Sequence, residues 1–359
     1  MSRSRIFLTL CAALLLALTP LASAAAQDEG LQIRITQVDN SDFPQVTVYI
    51  SVTDANGEPV SVDPNRIQLY ENGSLVQPEQ ILGSGEAGPL TTMLVMDVSG
   101  SMYNGGKLEA AKAAAKAYVA QMRPGDETGL ISFNTQVTVV QPVTEDRAAL
   151  EAAINSLDAR YDTAMYDALA KAVEVLQTEG GRKAIVVLTD GLDNSSHVSA
   201  DTVIGAVGPG GLSISTVGLG DPEAGGTNYG LDEPGLRSLA ERAGGLYAFA
   251  ADAASLQSIY ELYGRVLQSE YAITYTSPST LRDGVNRALT VSLGETGASA
   301  DTTYNPGGVL PEVTSKNWAL FGGTLVGLLV LAFLPGIIGL FARLGEKRPR
   351  KQKSRIKLK

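Results

Sequence analysis

Among 359 residues there is one cysteine, one histidine and one tryptophan, and each scarcity removes a class of chemistry. Cys11 lies in an apolar leader, so the expected mature chain has no disulfide, no thiol nucleophile and no thiolate metal ligand. His197, the lone imidazole, stands in the loop NSSHVS, and a Ser-His-Asp relay would have to recruit it. Neither a GxSxG elbow nor a GxxxxGK[ST] phosphate loop is present, and DVSGS lacks the second aspartate of a DxD motif. The sequence therefore reads as a non-enzyme. Positive charge is scarce before the final residues. The formal charge is −10, and with +8 of the tail and +2 of the leader set aside it becomes about −20 for residues 27–342. Such an acidic body repels phosphate backbones, which excludes nucleic acid as a partner.

The two ends read as targeting and anchoring segments. Arg3 and Arg5, an apolar run from Ile6 to about Leu18, and small residues Ala22 to Ala26 make residues 1–26 a secretory signal peptide. Trp318 to Ala342 carries no charge, a length that spans a hydrocarbon core of roughly 30 Å as one transmembrane helix, with Pro335-Gly336 as a kink. The tail, 343–359, has nine Lys and Arg against Glu346 alone. The positive-inside rule then predicts a single-pass cell-membrane protein with its N-terminal ectodomain outside and its tail in the cytoplasm. Leu310-Pro311-Glu312-Val313-Thr314 imitates a wall-sorting signal, but Val313 intervenes and no glycine follows Thr314.

Between the ends the rhythm changes twice. Residues 27–88 alternate as strands do, in LQIRITQV, QVTVYISVTD and RIQLYENGSLV, with Asn72-Gly73 as a hairpin signal. A second β segment, 269–306, holds EYAITYT and RALTVSLG. Each is too small for a sandwich alone, so the two are predicted to pack together, with 307–317 as a linker to the membrane. Residues 89–268 alternate apolar strands with helices: TTMLVMDV, GLISFN, VTVVQPV, AIVVLTD, LSISTVGLG and LYAFA among LEAAKAAAKAYVAQM, RAALEAAINSL, TAMYDALAKAVEVLQ, GLRSLAERAG and ASLQSIYELYGRVLQ. That pattern predicts an α/β, Rossmann-like domain with a mostly parallel sheet covered on both faces, whose sites lie at the carboxyl ends of the strands.

Two of those carboxyl ends are unusual. One strand ends in Asp97, Ser99 and Ser101, another in Asp190-Gly191, and Thr163 enters a helix between them. Taken singly, these are ordinary helix caps and loop-amide acceptors. Taken together, two carboxylates about 6 Å apart on rigid strands repel by roughly 3 kcal/mol at an effective dielectric near 20, unless a cation joins them. Three hydroxyls with carboxylates form a hard oxygen set that suits Mg2+, with Ca2+ or Mn2+ as alternatives.

The run Asp97-Val98-Ser99-Gly100-Ser101, with Thr163 and with Asp190-Gly191 in LTDGLDNSS, resembles the von Willebrand factor type A (VWA) domain and its metal-ion-dependent adhesion site. The resemblance covers about 180 residues in order. It implies direct ligation of Mg2+ by Ser99, Ser101 and Thr163, with Asp97 and Asp190 acting largely through water, and an open coordination position for a partner protein's Asp or Glu. Asp162 departs from the pattern, since many relatives carry glycine before the threonine. The function so implied is metal-dependent binding of a protein partner, in adhesion or in assembly of an envelope complex. The alternatives are an accessory subunit of a transport or secretion complex and a Mg-dependent hydrolase.

Overall fold

Period-two alternation before residue 88 and after residue 268 makes strands, and the computed structural model shows them sharing sheets; it describes residues 30–160, 162–220, 230–294, 297–308 and 321–333. The first strands are β1 (Gln32–Asp39), β2 (Gln45–Thr53), β3 (Ile67–Glu71), β4 (Ser74–Val76) and β5 (Gln80–Leu82). Those of the central region are β6 (Leu90–Asp97), β7 (Glu127–Phe133), β8 (Val137–Thr144), β9 (Arg182–Thr189), β10 (Ser213–Leu219) and β11 (Gly244–Ala250), and β12 (Tyr271–Thr276), β13 (Arg287–Leu293) and β14 (Ser299–Tyr304) follow. Two four-stranded sheets have the orders β1-β2-β12-β5 and β14-β13-β3-β4, so each mixes early and late strands. Their inward residues, among them Val48, Ile50, Leu69, Ile273, Leu289 and Val291, form one core. Asn72 and Gly73 both take positive φ, 49° and 78°, which closes the β3–β4 hairpin with the twist its strands require.

The central sheet has six strands in the order β11-β10-β9-β6-β7-β8. All pairs are parallel except β7–β8. The link between β7 and β8 is residues 134–136, too short for the crossover that a parallel neighbour needs. β6 is buried at all eight positions, because it lies in the middle of the sheet and both its faces are covered. Leu94 and Met96 face the helices α1 (Lys107–Ala120), α2 (Arg147–Asn155) and α6 (Ala253–Gln268). Met93 and Val95 face α3 (Met165–Leu176), α4 (Ala200–Gly210) and α5 (Glu233–Arg242). α4 is an addition to the predicted alternation, because its GAVGPG run looks like loop. The Ser199 side chain accepts from the Thr202 amide to cap it, and Val203 and Val207 are buried. Strand order reverses between β6 and β9, and at such a switch point the loops diverge and leave a crevice.

The chain passes between sandwich and central sheet just before β6 and just before β12, and Arg182 holds both crossings. Its Nη1 donates to the Gly88 carbonyl at 2.9 Å, its Nη2 donates to the Leu267 carbonyl, and Nε and Nη2 reach Glu270 Oε2 at 3.1 and 2.8 Å. Arg182 and Glu270 are both buried. Gln37 of β1 adds a two-way amide contact, donating to Gly181 and accepting from Lys183 N, each at 2.8 Å.

The described residues beyond Gly307 belong to a second unit. In it residues 321–333 are helical, with exposed apolar side chains that include Phe321, Leu325, Leu328, Leu331 and Phe333. Among the described residues no helix is long and apolar enough to cross a membrane. The predicted signal peptide, the tail and the rest of the predicted span at 318–320 and 334–342 lie outside the described residues.

Removing one partner of a buried pair strands the other's charge, at a cost of about 3–5 kcal/mol. Arg182→Met is expected to lose that much in urea unfolding of the full chain, and Arg182→Met with Glu270→Gln to recover most of it. A single-variant loss under about 1 kcal/mol would show that Arg182 does not clamp the crossings.

Candidate metal centre

The central strands deliver two carboxylates to one end of the sheet. Asp97 ends β6, and Asp190 follows Thr189, the last residue of the adjacent β9. Beyond Asp97 the chain is pinned by Val98, whose N–H donates to the Phe133 carbonyl and whose own carbonyl accepts from Arg160 N. Ser99 then precedes a 3-10 segment, Gly100–Gly106, that is anchored by buried Met102. Gly105 and Gly106 take φ of 63° and 71°, a left-handed turn that other residues adopt at a cost, and they feed the chain into α1.

This backbone strings the side chains into a polar chain. The Ser99 and Ser101 hydroxyls are 3.0 Å apart, and Ser101 Oγ donates to Asp190 Oδ1 at 2.6 Å. Asp97 Oδ1 accepts from Ser99 N at 2.8 Å, and Asp97 Oδ2 accepts from Thr189 Oγ1 at 2.6 Å. Thr163 comes from the loop before α3. Its N–H donates to Asn194 Oδ1, its carbonyl accepts from the amides of Asn194 and Ser195, and its hydroxyl sits 3.8 Å from where a Cβ on Gly191 would be. Asp97, Ser99, Ser101, Thr163 and Asp190 therefore gather at the β6–β9 switch. Asp162 is exposed, in keeping with a solvent-facing role.

Two further side chains belong to the arrangement. Thr189 orients Asp97, a role its position beside Asp190 in LTDG allowed. Lys107, the first residue of α1, places Nζ 2.6 Å from Asp190 Oδ2. A cation thus already stands at this oxygen cluster. Among the described residues no group of three or more His, Cys, Asp and Glu side chains could hold a metal, so any ion here depends on the hydroxyls. The hard-oxygen donor set, together with an ammonium drawn to it, fits a small divalent cation. His197 lies in the same loop region but is exposed and pairs with Asp167 Oδ2 at 2.8 Å.

Burial pushes the Asp97 carboxyl up from 3.8 to about 6; hydrogen bonds from Ser99 and Thr189 oppose the rise and the nearby Asp190 charge adds to it.

A profile of the family described as the von Willebrand factor type A domain matches residues 92–192, a stretch that contains all five predicted ligands. A UPF0353 protein of Mycolicibacterium paratuberculosis is 32% identical over 203 residues, covering 50% of this chain and 60% of that protein. Another UPF0353 protein, from Mycobacterium ulcerans, is 28% identical over 198 residues, covering 47% of this chain and 57% of that one. The chain thus spans 57–60% of the length of these two relatives. Among solved structures, a von Willebrand factor type A protein from Catenulispora acidiphila aligns at 17% identity and a TM-score of 0.47, covering 76% of this chain and 72% of that chain. The conserved hypothetical protein BatB from Bacteroides thetaiotaomicron aligns at 23% identity and a TM-score of 0.43, covering 50% and 100%.

In metal-free protein the unfolded Asp97 loses its proton near 3.8 and the folded one near 6. Between those values the folded state binds more protons, so this group's contribution to stability falls as pH rises through the window, by about 3 kcal/mol at full effect. With EDTA present, urea unfolding from pH 4 to 7 should show this fall in the wild type relative to Asp97→Asn. Parallel pH profiles for the two proteins would refute the buried, proton-holding Asp97.

Proposed function

The chain carries a von Willebrand factor type A domain, and on that premise we propose that it binds a partner protein through a divalent ion held at the β6–β9 switch. The supporting observation is the continuous polar chain from Ser99 through Ser101 to Asp190, with a cation on the far Asp190 oxygen. In this reading Ser99, Ser101 and Thr163 ligate the ion directly, Asp97 and Asp190 act through water, and Mg2+ is the ion of choice. When bound, the ion supplies a positive centre that attracts an acidic side chain of the partner, because neutral hydroxyls leave much of its charge uncompensated.

The protein's own residues do the positioning. Thr189 and the Ser99 amide fix the Asp97 carboxyl, and the backbone contacts at 194 and 195 fix Thr163. Tyr103, 78% exposed in the segment between Ser101 and α1, is an aromatic side chain available to the same partner. The reading assigns no catalytic residue. It also has residues 318–342 anchor the chain in a membrane with the metal domain outside, on the strength of the uncharged span and basic tail.

Mg2+ titration of the full chain by calorimetry, with thermal melting, tests the proposal. The wild type is expected to bind one ion and melt higher, and Asp97→Ala and Thr163→Ala to do neither. If the wild type takes up no ion at millimolar Mg2+, Ca2+ or Mn2+, the metal-dependent reading falls. Protease added to intact cells should digest residues 27–316 and spare the tail; a protected metal domain would reverse the orientation.

A further inference from the structure

Lys107 stands where helix physics disfavours it. It opens α1, and the first turn of a helix presents the positive end of the macrodipole, the poorer end for a cation. Its placement is nevertheless specific. The Asp190 side chain has no exposed surface, Lys107 is 31% exposed, and their charged atoms are 2.6 Å apart. Gly220, the residue after β10, takes φ of 117°, a conformation that favours glycine, and the ammonium lies beside it, at ordinary contact distance (3.5 Å) from where a Cβ would stand. The left-handed glycines 105 and 106 set the entry into α1 from which Lys107 reaches across to β9. Asp190 is thereby engaged at both oxygens, by the Ser101 hydroxyl on one and by Lys107 on the other.

We propose that Lys107 is a tethered counter-cation that competes with the divalent ion for Asp190, so that ion binding displaces its ammonium. The inference rests on the metal-binding reading above. A buried carboxylate carries one negative charge, and a monovalent and a divalent cation held against it together repel each other far more strongly than they would in water. Without metal, Lys107 neutralises Asp190 and relieves its repulsion of Asp97. With metal, that service is redundant and the ammonium is free to turn to solvent. Lys107 therefore sets the ion concentration at which the site fills.

The test uses the full chain as wild type, Lys107→Met and Lys107→Arg, each titrated with Mg2+ alone at constant pH by calorimetry, with melting in EDTA to confirm folding. Lys107→Met is expected to bind Mg2+ about tenfold or more tighter than the wild type, and Lys107→Arg to remain close to it. Equal or weaker binding by a folded Lys107→Met overturns the competition and leaves the metal reading intact. Uptake of no ion by any of the three proteins overturns both. A second readout needs no variant: labelling of the Lys107 amine by an acylating reagent, followed by mass spectrometry, should rise in saturating Mg2+. Unchanged labelling when the wild type is saturated overturns the proposal by itself.

Discussion

The buried guanidinium of Arg182 is the contact on which the arrangement of this molecule depends. It opens β9, the strand that leads to Thr189 and Asp190, so one element carries the clamp at one end and the candidate centre at the other. Eight residues of strand span roughly 26 Å, and over that distance no flexible joint intervenes. The guanidinium grips the carbonyls of Gly88 and Leu267 and the carboxylate of Glu270, which fixes where the chain leaves the sandwich and where it returns. An inserted domain with two connections can swing about them; here both are hydrogen-bonded to the same side chain. The candidate centre is thereby presented from a rigid base.

Buried charge is handled differently in the sandwich and at the strand ends. In the sandwich, Glu71 accepts from the hydroxyls of Tyr275, Ser277 and Tyr304 and faces Arg287 at 3.7 Å, while Arg287 also donates to Ser277 and to loop carbonyls. That network is well supplied with partners, which is what allows ionised groups to sit inside a β core. At the strand ends, Asp97 and Asp190 are equally secluded but lean on hydroxyls and on one lysine. Hydroxyls can rotate and exchange partners, and an ammonium on a flexible stem can leave. The two differ in the cation: Arg287 is buried and held by Ser277 and loop carbonyls, whereas Lys107 is 31% exposed and has room to move.

Much of the central region was legible in the sequence because its strands are buried on both faces. A doubly buried strand must be apolar throughout, and TTMLVMDV and AIVVLTD announce themselves on that ground. Helix α4 was not legible, since Gly205, Gly208 and Pro209 are weak helix formers and the helix owes its existence to the Ser199 cap and to burial of Val203 and Val207. The antiparallel direction of β8 is set by the shortness of the link at 134–136, which no crossover could span.

The sequence by itself determined the α/β alternation, the hairpin at Asn72-Gly73 and the residue types at the strand ends, because each depends on local periodicity, turn chemistry or the identity of adjacent residues. Tertiary structure alone decided that β6 and β9 are neighbours at a switch point, that Thr163 comes to rest beside Gly191, and that Lys107 crosses to Asp190 alongside Gly220. Those contacts join positions as much as 113 residues apart in the chain, Lys107 and Gly220 being the extreme. Pairing at such separation is set by how whole elements pack, which no short stretch of sequence encodes.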